Sequence, residues 1–216
     1  VSPAQICPRL WPGSTITILA SGPSLTDADV AEVHRHQATG KIVTIAINTT
    51  VRKAPWADVL YACDLKWWRN NPEAIKFPGL KFGLREAGSA DAIAGVRFLQ
   101  YREPRIVGLE RDPSYLATGA NSGYQAINLA AHLGAARILL LGFDCGTDEA
   151  GNRHWHGDHP APLMNPDESL FQKWRAAFDT LPPALAGVGV EVVNCSRSTT
   201  ITAFQRSDIS TALRSI

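Results

Sequence analysis

Four short runs of this sequence are apolar at nearly every position: "TITILA" from Thr15, "KIVTIAI" from Lys41, "ADVLYAC" from Ala57 and "RILLLGF" from Arg137. A strand with one wet face alternates apolar and polar residues, so runs without alternation belong to strands covered on both faces, as in parallel sheets. Segments of helical spacing separate them. Asp27 to His36 sets Val30 and Val33 on one face, and Ser122 to His132 turns Ile127, Ala130 and Ala131 inward before Gly134 stops it. The alternation predicts an α/β chain with a mostly parallel sheet and helices on both faces.

With 216 residues and 45% apolar content, the sequence fits one domain, 1–216. Its apolar runs are far shorter than the roughly 20 residues that span a bilayer, and no basic leader with a cleavage site precedes them. A soluble, cytoplasmic protein is expected. Twenty-one Lys and Arg against twenty Asp and Glu leave a formal charge of +1, so no polyanionic partner is demanded and nucleic acid is not expected. A small substrate suits that balance, and self-association stays open. The four cysteines form no Cys-x-x-Cys pair and read as reduced thiols.

Two regions break the alternation. From Trp67 to residue 117 only "LKFGL" and "VRFLQ" look like strands, and a less regular insert is expected there. The segment 145–165, "CGTDEAGNRHWHGDHPAPLMN", is too long for a plain connection and reads as a lid. A helix follows, with Asn165 as its cap, Pro166 first and Glu168 three residues after the cap. "GVEVVNCS" supplies a last strand, and "RSDISTALRSI" a closing helix starting near Ser207 or Asp208.

Ligands of open α/β sheets bind beyond the carboxyl ends of the strands. Asn48 and Asp64 follow the second and third strands, and Asp144 follows "RILLLGF". Ser21, Gly22, Pro23 and Ser24 link the first strand to its helix, and Thr118 to Gly123 open another helix at the same edge. Each loop reads either as a plain turn or as an anion cradle built from backbone N–H groups and the positive helix end. In "RHWHGDH", His154 and His156 are two residues apart and Asp158 and His159 follow. General base, metal site with a carboxylate such as Asp144 or Asp158, and exposed polar loop all fit. Trp155 reads as a ring for stacking or as an anchor for that loop, and "KWWRN" as a nucleic-acid contact or as buried tryptophans.

The order "ILASGPSL", a strand ending in Asn48, "ANSGYQAINLAAHLGAARILLLGFD" and "HWHG" resembles the small bacterial sialyltransferases, from about Thr15 to Phe204. It is similar also to a phage and bacterial domain family that includes flagellin-glycosylation factors and archaeal 6-hydroxymethylpterin diphosphokinase. The resemblance implies a Rossmann-like nucleotide-sugar domain with a lid. It implies that Ser21 to Ser24, Asn48 and Asn121, Ser122 and Gly123 hold the nucleotide, and that His154 is the general base, with His156 beside it. Where the sialyltransferases carry Asn before Gly-Pro-Ser this chain has Ser21, and Ala62-Cys63-Asp64 replaces their Asn after the third strand. Asp64 brings negative charge toward phosphates, which a divalent cation, Mg or Zn, offsets.

The expected function is transfer from a nucleotide-activated donor, first a nucleotide sugar, to an acceptor hydroxyl. Two alternatives stand beside it. One is a diphosphokinase whose Asp64 and Asp144 hold a divalent cation, and the other is a nucleotide-binding protein without catalysis.

Overall fold

A computed structural model describes residues 5–89, 92–103, 107–214 and 216. Parts of the expected insert (90–91, 104–106) and of the closing helix (215) lie outside them. Eight parallel strands form one sheet in the order β5-β4-β3-β2-β1-β6-β7-β8. They are β1 (Thr15–Leu19), β2 (Ile42–Ile47), β3 (Val59–Tyr61), β4 (Leu80–Glu86), β5 (Arg97–Tyr101), β6 (Arg137–Leu141), β7 (Glu191–Asn194) and β8 (Gln205–Arg206). The chain winds outward from β1 to β5, then returns to the other side of β1, where Thr15 lies between Ile42 and Arg137. The strand order therefore reverses between β1 and β6.

The unbroken apolar runs are explained by burial on both faces. Along β1, Ile16 and Ile18 enter one core and Leu19 the other; along β6, Ile138 and Leu140 oppose Leu139 and Leu141. Helices α3 (Ser122–Leu133), α4 (Glu168–Phe178) and α5 (Leu181–Ala186) cover the first face through residues such as Ile127, Phe178 and Leu185. Helices α1 (Asp27–Gln37), α2 (Leu65–Asn70) and α6 (Ile209–Arg214) cover the second through Val33, Trp68 and Leu213. The architecture is α/β and Rossmann-like, with a fully parallel sheet among the described residues.

The two strands expected after Trp67 are β4 and β5, and with α2 and a short 3-10 turn they extend the sheet. Of the two readings of "KWWRN", buried tryptophans hold: Trp67 and Trp68 are core residues, their indole N–H groups donating to Thr49 Oγ1 and the Ala62 carbonyl. One expectation is corrected: Asp167, not Asn165, caps α4 by accepting from the Leu170 amide. Asn165 is occupied elsewhere: its side chain accepts from the His159 amide at 2.7 Å and donates to the His159 carbonyl at 3.0 Å.

Candidate functional site

The loops leaving β1, β2, β3 and β6 meet where the strand order reverses, around a cavity of about 340 Å³. Crevices form at such points because neighbouring connections depart to opposite faces of the sheet. Its wall brings together Ser21, Gly22, Asn48, Asp64, Asn121, Ser122, Gly123, Asp144 and His154. Pro23, Ser24 and His156 stand outside the wall. The described residues that are not glycine yet have positive φ, Asn48 (49°), Ala120 (52°) and Cys145 (54°), all lie on it. Such backbone costs of order 1 kcal/mol or more each and clusters where function holds it in place.

The first loop is drawn tightly onto the end of β6. The Gly22 amide donates to the Gly142 carbonyl at 2.9 Å, and a side chain at Gly22 would put its Cβ 2.3 Å from Asp144 Oδ1. Ser24 gives both donors to Asp144, its amide to Oδ2 at 2.7 Å and its hydroxyl to Oδ1 at 2.8 Å. Thr26 and Asp29 close a capping box on α1, and Asp29 is paired with Arg197. The Ser24 donors are thus taken by Asp144, and the carboxylates of Asp29 and Asp144 stand at the amino end of α1. Burial pushes the Asp144 carboxyl up to about 6, against the two Ser24 hydrogen bonds that lower it.

The second loop is left open. Asn121 caps α3 by accepting from the Tyr124 amide, so among the described residues the amides of Ser122 and Gly123 remain as the unclaimed donors of the first turn. Ser122 Oγ lies 3.5 Å from Asn48 Nδ2 and 3.2 Å from Cys63 Sγ, which ties the turn to the ends of β2 and β3. Gly123 is glycine for packing: a Cβ there would fall 2.7 Å from the Phe143 ring. Asp64 is exposed and caps α2 by accepting from the Lys66 amide at 2.8 Å.

The lid lies down on this crevice. The Trp155 amide donates to the Ser21 carbonyl at 3.0 Å, its indole N–H reaches Thr50 Oγ1 at 3.3 Å, and Lys53 Nζ sits 4.7 Å from the ring. Trp155 therefore acts as the lid's anchor. Beside it, His154 Nδ1 lies 3.0 Å from Ser21 Oγ. The rings of His154, His156 and His159 pack with centroids 4.7 to 5.1 Å apart. Burial first, then repulsion by the neighbouring imidazoles when charged, hold His154 down at about 3 and His156 at about 4; burial, with Arg52 and against Asp158, lowers His159. Asp158 is held by Arg153 at 3.0 and 3.1 Å.

Sequence reasoning missed Trp174 and left His159 without a role. Trp174 lines the cavity, and its buried indole nitrogen has no hydrogen-bond partner. It shares a helical stripe with Phe171 and Phe178, which reads as core in the sequence. Among the described residues, the group of three or more His, Cys, Asp or Glu able to hold an ion is His154, His156 and His159.

No protein-family model matches the chain, and no curated protein matches it. Among solved structures it is similar to the MAf glycosyltransferase from Magnetospirillum magneticum AMB-1, at 17% identity and a TM-score of 0.60. The match covers 94% of this chain and 35% of that one, so the chain spans about a third of that protein's length. No helix of the described residues is long and apolar enough to cross a membrane. At this identity the likeness is one of fold: nearly the whole chain shares the α/β architecture of a region of a glycosyltransferase.

Proposed function

We propose that the chain binds a nucleotide-activated donor, a nucleotide sugar, in the crevice between β1 and β6 and transfers its glycosyl group to an acceptor hydroxyl. The observation that carries this reading is the open amino end of α3 at the reversal of the sheet. There the Ser122 and Gly123 amides face a cavity large enough for part of a nucleotide. The donor's phosphate accepts from these amides, which also stabilise it as the leaving group. Asn48 and the Trp174 indole offer polar contacts on either side. The shared fold with a glycosyltransferase supports the reaction class.

The acceptor's proton leaves on the lid side, where His154 reaches the wall. An imidazole held near 3 is a weak proton acceptor at neutral pH, because general bases work best with a pKa close to the operating pH. In this reading the acceptor's proton passes to an imidazole of the lid cluster, His154 or His159, both of which line the cavity. The diphosphokinase alternative has less support: Asp64 is engaged at α2 and Asp144 by Ser24.

Thermal-shift and calorimetric titration with nucleoside mono- and diphosphate sugars, and with ATP and magnesium, tests the reading. Stabilisation by a nucleotide sugar and release of the nucleotide on adding an acceptor are expected. Stabilisation by ATP with magnesium alone, or by none of these, overturns it.

A further inference from the structure

We propose that His154, His156 and His159 form a binding site for a divalent transition-metal ion of the zinc class, carried by the lid at the edge of the crevice. One nitrogen from each imidazole lies within 4.8 Å of the other two. A tetrahedral ion sits about 2.0 to 2.1 Å from each nitrogen, so modest side-chain movement brings all three into its shell. Packing three imidazoles together has little to recommend it otherwise. The Nε2 atoms of His154 and His156 are buried without a hydrogen-bond partner, and such orphaned polar atoms are destabilising unless something meets them.

The surroundings fit a ligand shell. Metal-bound imidazoles commonly engage an outer partner through the second nitrogen, and His154 Nδ1 already does so with Ser21 Oγ at 3.0 Å. Asn165 holds the backbone of His159 from both sides. Trp155 pins the strand of lid between the first two imidazoles.

The donor set also selects the ion. Asp158 is paired with Arg153, and Asp144 is engaged by Ser24, so the available ligands are nitrogens. Imidazole suits zinc, copper, cobalt or nickel, whereas magnesium and calcium need oxygen. Three protein ligands leave a fourth position for water or for a substrate oxygen, the arrangement of reactive rather than structural zinc. His154 and His159 both line the cavity, so an ion they hold is within reach of what binds there. If the transferase reading holds, this makes His154 a metal ligand and not a free base.

Tag-free protein stripped with a chelator is titrated with Zn²⁺, and with Co²⁺ followed by its visible absorption. The proposal expects about one equivalent bound per chain and tetrahedral cobalt bands, with Mg²⁺ unable to compete. His156→Ala and His159→Ala, checked for folding by circular dichroism, should each weaken binding by more than the roughly 10- to 100-fold cost of an outer-shell change. Should the variants fail to fold, the wild-type titration still decides. Zinc bound no more tightly than by a His156→Ala/His159→Ala double variant, or cobalt bound octahedrally, overturns the proposal. These titrations contain no nucleotide, so their outcome is separate from that of donor binding.

Discussion

The loop after β1 and the loop before α3 look alike in sequence, each a run of small residues that opens a helix at one edge of the sheet. In the folded chain they do opposite things. Around Ser24 the donors are turned onto Asp144, and at α1 the cap likewise takes one amide, Asp29, but the carboxylates of Asp29 and Asp144 stand beside that end, so it carries its own anions. Around Ser122 the cap takes a single amide, Tyr124, and leaves two open to the cavity. A glycine-containing loop at a helix start offers the potential for anion binding, and the side chains facing it decide whether that potential is free.

The largest effect expected in the first loop is steric. Gly22→Ala forces a Cβ against Asp144 Oδ1 and the Gly142 carbonyl, and the carbonyl cannot step aside. Overpacking of this kind costs about 3 kcal/mol, read as a lower urea midpoint with an unchanged slope. A variant as stable as the wild type would show that the loop is not locked to β6.

Next comes the charge held in that lock. The Asp144 carboxyl is raised to about 6 in the folded chain, so the native state holds more protons than the unfolded state between the two values. Stability therefore falls as pH rises through that window, by about 2 to 3 kcal/mol for one such group. Asp144→Asn keeps one acceptor and one donor for Ser24 and should remove this fall, gaining on the wild type at pH 7 and matching it near pH 4. Parallel urea midpoints at the two pH values read this out; an unchanged slope with pH contradicts it. Ser24→Ala removes a single hydrogen bond to the same carboxylate and should cost about 1.5 to 2 kcal/mol at pH 7. Donor affinity should stay within a few-fold, because the Ser24 hydroxyl is already given to Asp144 and not to the cavity.

Much of the fold was legible because burial on both faces leaves a plain mark. The runs at Ile16, Ile45 and Leu139 could belong to little else. β4 and β5 were harder to recognise as sheet because Lys81, Arg85 and Arg97 interrupt their apolar residues, while β8 has two exposed residues and no pattern at all. The α4 cap shows a different limit. Asn165 and Asp167 are both good caps two residues apart, and the contact between Asn165 and His159 settles the choice. Position at the strand ends was enough to set Asn48 and Asp144 on the crevice, and the loop that opens α3 to set Ser122 there. The closure of the first loop by Asp144 and the meeting of three imidazoles depend on tertiary contacts that no spacing encodes.

The most direct test of the account is donor titration of Ser122→Pro beside Ser122→Ala. Ser122 is the first residue of α3, where proline is tolerated, and Asn121 before it is already extended at φ −146° and ψ 132°, as a residue preceding proline prefers. The proline removes the amide while the helix stays; the alanine removes the hydroxyl and keeps the amide. A nucleotide sugar should bind Ser122→Pro about 10- to 100-fold more weakly, the worth of one hydrogen bond to a charged group, and Ser122→Ala only a few-fold more weakly. Equal affinity for the wild type and a folded Ser122→Pro variant would contradict the claim that the open end of α3 holds the donor.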